Sequence, residues 1–496
     1  MKVLRTVLVF LAAASIVGCT VGPDYHRPPS NPPTQWSETL SGGETNKSPS
    51  IATWWKSFND PELDSLVARA VHSNLDLRIA EARVREARAQ RGIVDADFWP
   101  SVDTSASYAR ARESANQPLL GQLDLPPSVS LENDVYQAGF DASWEIDVFG
   151  GTRRAAEAAN AQIAAAVYSR QDVQVTLVSE VARNYIEARS FQRRLAIARQ
   201  NIKAQQDTVA LARDRYKQGL TNSLDAEQAA TVLAQTETQV PLLENGLQAS
   251  IHHIGVLLGQ QPGALLTELA TEAPMPATPP QVPVGLPSDL LLRRPDIRNA
   301  ERQLAAATAQ IGVATADLFP KFSLTGDIGL ESVSTSDFFT SGSRFFSAGP
   351  TVQWRIFDAG RIRSNIRVQN ARQEQALATY EKTVLTSFED VENTLVAYAK
   401  DQDRNVSLNE AVKTSQNSLG ISRRLYVDGL TSFINVLDAE RSLYQSQDDL
   451  AQSDQAVTED LIALYKALGG GWEEPMPASI SSSTIETVSV GVGEGK

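Results

Sequence analysis

Cys19 is the only cysteine among 496 residues, and its neighbours make it a candidate for acylation. Lys2 and Arg5 give a basic start, residues 7–17 form a short apolar run, and Ile16-Val17-Gly18 leads directly into the cysteine. That order predicts a secretory signal over 1–18, too short for a membrane anchor. The ending has the form of a bacterial lipobox, which makes Cys19 the lipid-bearing first residue of the mature chain. Thr20 follows it, rather than the Asp that favours inner-membrane retention. The expected address is the outer membrane of a Gram-negative bacterium, facing the periplasm. Several acyl chains anchor firmly, at about 0.8 kcal/mol per buried CH₂.

A second group lies near the C-terminus. Ile434, Asp438 and Arg441 stand at spacings of four and three, so a helix would carry them on one face. An ordinary ion pair of about 0.2–0.5 kcal/mol is the plainer reading of Asp438 and Arg441. Third come two copies of one tripeptide, Gly219-Leu220-Thr221 and Gly429-Leu430-Thr431.

Catalysis finds no support. There is no G-x-S-x-G, no Walker A and no H-E-x-x-H. Gly491, Gly493 and Gly495 sit in a terminal stretch with no strand before or helix after, unlike a phosphate loop. His252 and His253 are adjacent, and adjacent helical residues do not face one ligand position. With a single cysteine, neither disulfides nor Cys-based metal sites are expected. An enzyme, a metal or a cofactor other than the lipid is therefore not expected. Lys and Arg total 45 against 59 Asp and Glu, a net charge of −14, without a basic run for nucleic acid. After Cys19 no apolar stretch is long enough for a spanning helix.

The elements that position these groups occur twice. Ala96-Asp97-Phe98-Trp99-Pro100 returns as Ala316-Asp317-Leu318-Phe319-Pro320, offset by 220. Trp144, Ile146 and Gly150 return as Trp354, Ile356 and Gly360, and Tyr216 with Gly219 as Tyr426 with Gly429, all offset by 210. Several matches at two consistent offsets indicate a tandem duplication. The predicted organisation is a signal over 1–18 and a Pro-rich arm over 19–60. A first repeat follows over 61–271, a Pro-rich linker over 272–287, a second repeat over 288–470 and a flexible tail over 471–496. Each repeat reads as a helix (62–95 in the first, with a weak point at Ser73-Asn74), a β-hairpin, a very long helix and a return helix.

The hairpins, 101–147 and 321–357, show period two. Tyr136, Ala138, Phe140, Ala142, Trp144 and Ile146 alternate with polar neighbours, as do Phe346, Ala348, Val352, Trp354 and Ile356. Runs of about ten residues with this pattern suit a membrane-spanning strand. The long helices, 152–218 and 361–428, would each extend about 100 Å. Gly219 and Gly429 suit left-handed caps at their ends. Two hairpins give four strands, and an open sheet in lipid leaves edges whose unpaired groups cost several kcal/mol each. The chain must therefore share a barrel with copies of itself, and the count alone leaves a dimer or a trimer open.

The layout resembles the TolC-like outer-membrane efflux factors, in the lipidated NodT-type branch. The likeness rests on Gly18-Cys19, Gly22-Pro23-Asp24-Tyr25, Arg27-Pro28, Trp54-Trp55, Pro287-Ser288-Asp289-Leu290-Leu291, Arg294-Pro295-Asp296, and Tyr426, Gly429 and Val436-Leu437-Asp438-Ala439. It spans Cys19 to about Leu468. The resemblance implies an α+β membrane protein: a homotrimer whose 12-stranded transmembrane β-barrel, four strands per chain, continues into a 12-helix periplasmic α-barrel. It implies a passive exit duct for small molecules, working with a periplasmic adaptor and an inner-membrane RND-type transporter. It further implies that Tyr426, Ile434, Asp438 and Arg441 line or brace the closed periplasmic end. Gly219, Leu220, Thr221, Gly429, Leu430 and Thr431 would meet the adaptor. Asn435 stands where some members carry a second acidic ring. The alternatives are the exit of a type I protein secretion system, or, in a different class, a periplasmic adaptor or structural envelope lipoprotein.

Overall fold

A computed structural model describes residues 20–29, 32–37, 44–45, 51–112, 114, 131–279, 282–285 and 287–472. Cys19 and the expected tail beyond 472 lie outside the described residues. The chain folds as two compact units. One comprises Met1–Pro33, Leu75–Val173 and Arg294–Glu389; the other Thr34–Asn74, Gln174–Arg293 and Asp390–Lys496. Each sequence repeat contributes to both.

The helix expected over 62–95 is two helices, α1 (Pro61–Ser73) and α2 (Leu75–Ala96). Asp60 opens α1 by accepting the Glu62 and Leu63 amides at 2.9 and 3.2 Å, with Pro61 in the first turn where its missing N–H costs nothing. Leu63, Leu66, Val67 and Ala70 recur at helical spacing and are buried. Asn74 then turns to extended backbone, its side-chain amide donating to the Leu257 carbonyl at 2.8 Å. The break falls at the weak point in the sequence and coincides with the boundary between the units.

The first unit contains one antiparallel sheet of β1 (Ser101–Arg112), β2 (Glu132–Ile146), β3 (Lys321–Ser332) and β4 (Arg344–Gln353), in that order. The central β2–β3 ladder joins the hairpins of the two repeats. Register puts Thr104, Phe140, Ile328 and Phe346 in one row on one face, and Asp103, Asp141, Asp327 and Ser347 in the adjacent row on the other. The last strand is shorter than the alternation suggested: it ends at Gln353, leaving Trp354 and Ile356 outside. Gln353 pairs with Lys321, the first residue of β3, and Pro320 before it has no N–H to extend the ladder.

Two long helices follow the hairpins, α3 (Gly151–Lys217) and, after β4, α8 (Arg361–Val427). The return helix after α3 is interrupted, giving α4 (Ser223–Glu237) and α5 (Gln239–Leu257). Pro241, in the first turn of α5, cannot donate to the carbonyl four residues back, and its ring crowds that carbonyl. Ala451 stands at the matching position, and there the return helix α9 runs unbroken over Phe433–Ala467. The linker leads into α6 (Pro287–Arg293) and α7 (Pro295–Ala316).

In the second unit, Trp54 stacks on Tyr465 at 5.2 Å, and the Tyr185 hydroxyl donates to Asp60 at 2.7 Å. Among the described residues no helix is long and apolar enough to cross a membrane.

Candidate functional site

The sheet exposes apolar side chains that a water-facing surface would not favour. Phe140, Ile328 and Phe346, in one row, are 58%, 62% and 83% exposed. Aromatic residues bound this face. The Trp144 indole N–H donates to the Phe98 carbonyl, and the Trp354 indole N–H to the Leu318 carbonyl. Toward the other end, Tyr108 and Tyr136 lie 5.0 Å apart between ring centres. From Tyr136 to Trp144 the strand rises roughly 27 Å at about 3.4 Å per residue. The nine residues from Tyr136 through Trp144 meet the about 9–11 that a tilted strand needs to cross the hydrocarbon, with aromatic side chains toward both ends as in barrel girdles. The opposite face carries the aspartate row.

Close to the sheet, the N-terminal segment is held by one buried cation. The Arg154 guanidinium donates to the Val21 and Gly22 carbonyls at 3.0 and 3.3 Å and pairs with Asp24 at 2.6 Å and Glu157 at 2.7 Å. Arg154 holds the Asp24 carboxyl below the usual carboxylate range. The Val21 amide donates to the Phe149 carbonyl at 3.1 Å, just past the end of β2. The residues next to Cys19 thus run beside the foot of a hairpin.

The two tripeptides form matching helix ends. Gly219 and Gly429 share φ of 74°, the left-handed region where a side chain is strained. The Leu220 amide donates to Arg215 at 2.9 Å and the Leu430 amide to Leu425 at 2.8 Å; the glycine amides bond Tyr216 and Tyr426. These are Schellman closures, which satisfy the last helical carbonyls. Leu220 and Leu430 are exposed at 60% and 73%. The returning helices start differently. Asn222 caps α4 through its side chain, whereas Ser432 makes no side-chain cap bond to α9.

The structure separates the four expected gate residues. Ile434, Asp438 and Arg441 are exposed on α9, with Asn435 beside them donating to Thr431 at 2.7 Å. Tyr426 is instead buried against Phe433, Val436, Val209, Ala212 and Ala226. Its hydroxyl donates to Asp225 at 3.3 Å, and the Arg215 guanidinium lies 4.8 Å above its ring. Burial, then the Asp225 charge, pushes the Tyr426 hydroxyl pKa up. Thr221 also donates to Asp225. Asp225 escaped the sequence reading, although it stands six residues after Gly219, as Asn435 does after Gly429.

One buried acid was also missed. Glu440 is 5% exposed and accepts from Thr208 at 2.6 Å, while Arg423 donates to Thr208 at 2.6 Å and stands 3.5 Å from the carboxylate. This contact ties α3, α8 and α9 together. Burial raises the Glu440 pKa; Thr208 and Arg423 oppose the rise.

None of these groups forms a nucleophile–base pair; they join helices and strands or face outward. The profile of the outer membrane efflux protein family matches residues 66–260 and 286–470. Nodulation protein T of Rhizobium leguminosarum bv. trifolii is 31% identical over 463 residues, covering 93% of this chain and 97% of that protein. The pyoverdine export outer membrane protein OpmQ of Pseudomonas aeruginosa is 34% identical over 446 residues, covering 89% and 91%. Among solved structures, the outer-membrane channel OprN superposes with a TM-score of 0.84 at 37% identity, over 92% of this chain and all (100%) of that one. With its sheet, paired helix tips and long helices accounted for over most of its length, this chain belongs to the outer membrane efflux protein family.

Proposed function

We propose that the chain is one third of a closed outer-membrane duct, the passive exit for small molecules that an inner-membrane RND-type transporter delivers through a periplasmic adaptor. The observation that carries this is the sheet: four strands with an exposed apolar face and two outer strands, β1 and β4, each paired on one side only. Such edges are intolerable in hydrocarbon. Three copies under cyclic symmetry supply twelve strands and close them all, with a lumen wider than the eight strands of a dimer leave. The long helices then continue the wall as a 12-helix barrel. The two sequence repeats supply equivalent staves, which the paired Trp–carbonyl bonds and Schellman closures support.

Cys19 carries the lipid, and the Arg154 clasp leads the chain from it along the foot of β2. Ile434, Asp438 and Arg441, exposed in one chain, face their counterparts near the axis, with Tyr426 bracing from behind. Gly219, Leu220, Thr221, Gly429, Leu430 and Thr431 present small, exposed tips to the adaptor. The chain performs no catalysis. Relatives are named for pyoverdine, toluene, solvent and cation efflux. That spread fits a duct whose partners select the substrate.

Full-length Asp438→Ala protein in planar bilayers tests the reading. Discrete conductance steps larger than those of the wild type are expected. Absence of steps, or steps equal to wild type, contradicts the duct or its gate respectively.

A further inference from the structure

The joint around Tyr426 is assembled from both repeats, and the chain carries a second, unassembled set of its parts. Tyr426 comes from the end of α8; Asp225 and Arg215 come from α4 and α3. At the offset of 210, Tyr216 matches Tyr426, Asn435 matches Asp225, and Leu425 matches Arg215. The tips correspond: both glycines have φ of 74°, and the contact in which Thr221 donates to Asp225 has a counterpart in which Asn435 donates to Thr431. The side chains are not equally placed. Tyr426 is 5% exposed and Tyr216 51%; Leu425 is 37% exposed and Asn435 is exposed too. One chain therefore holds one complete joint and two halves, a tyrosine on the α3–α4 tip and its acceptor on the α8–α9 tip.

We propose that these halves meet between copies of the chain: Tyr216 of one subunit packs against Leu425 of the next and donates its hydroxyl to Asn435 there. The occupant is a second copy because the surface that receives Tyr426 within the chain is the repeat equivalent of the one offered to Tyr216. Cyclic symmetry gives every half its complement. The inference rests on the trimeric reading and adds the contact that closes the ring at the tips. This contact is neutral. Leu425 replaces the cation above the ring, Asn435 replaces the carboxylate, and Ser223 stands where Phe433 flanks Tyr426. A hydrogen bond to a neutral amide is weaker than one to a carboxylate, and salt does not screen it as it screens a charge pair.

Full-length protein carrying Tyr216→Cys and Asn435→Cys, treated in detergent with a short bis-maleimide, provides the test. A tyrosine's length separates the two Cβ atoms, too far for a disulfide. Covalent species of two and three chains are expected on denaturing gels, absent from either single variant. The parallel pair Asp225→Cys and Tyr426→Cys should crosslink within one chain and give no ladder. Native mass on the same samples separates the two ideas. A trimer in which Tyr216→Cys/Asn435→Cys yields no ladder while the parallel pair crosslinks overturns the joint and leaves the trimer standing. A single-chain native mass overturns both.

Discussion

Trp144 donates its indole N–H to the Phe98 carbonyl at 2.9 Å, and Trp354 makes the equivalent bond to Leu318 at 3.0 Å. Each bond ties the foot of a hairpin to the turn after the helix that precedes it, α2 or α7. Trp144→Phe keeps an aromatic ring and loses the donor. It should cost about 1 kcal/mol, a typical net hydrogen bond, and Trp354→Phe about the same. Urea unfolding in detergent micelles measures both. Wild-type midpoints in the two variants would mean that water replaces the donor without loss.

The two faces of the sheet should answer oppositely to charge. Ile328 lies at mid-strand on the apolar face, so Ile328→Arg should destabilise the membrane-inserted form by about 2–4 kcal/mol, the cost of a midplane cation on a barrel's lipid side. Asp327→Arg, one residue away on the polar face, should insert normally. Folding yield into phospholipid vesicles compares them. Equal yields would reverse or erase the assignment of faces.

The Tyr426–Asp225 contact predicts a leak. Bonds to charged groups contribute about 1.5–3 kcal/mol, and a 3.3 Å bond belongs at the lower end. Asp225→Asn or Tyr426→Phe should shift the closed–open ratio up to about tenfold, since 1.4 kcal/mol is a factor of ten. Single-channel recording reads this as raised open probability. Wild-type open probability in both would detach the pair from gating.

Asp460 predicts a pH dependence. Burial, then its hydrogen bond with Asp401, pushes the Asp460 carboxyl up to about 7. The folded chain thus holds this proton more tightly than the unfolded one. The stability it lends is complete below the ordinary Asp pKa and is lost as pH rises through about 7. Thermal midpoints should fall as pH rises from about 4 to about 7, level off above that, and fall less in Asp460→Asn. Identical slopes would contradict the shared proton.

Local signals were legible because local rules wrote them. Ser73-Asn74 marks a break between helices, Gly219 and Gly429 end two, and period two marks β2 and β4. The shortening of β4 was not legible, because it depends on where its partner β3 begins. Pro241 held the signal for the broken return helix, since it cannot donate and crowds the carbonyl behind it, but the repeat pattern alone reads that segment as one helix. In the sequence Glu440 is one charge among many on its helix; the approach of Thr208 and Arg423 buries it. Asp225 was within reach, because the same offset that revealed the repeats places it opposite Asn435. What periodicity does not encode is which helix lies beside which, and the joint around Tyr426 consists of that information.

The mass of the assembly tests the central claim most directly. Native mass spectrometry of the full-length lipoprotein, released from detergent micelles, should show three chains and no stable single chain. A folded monomer, stable without detergent, would contradict a barrel that only three copies can close.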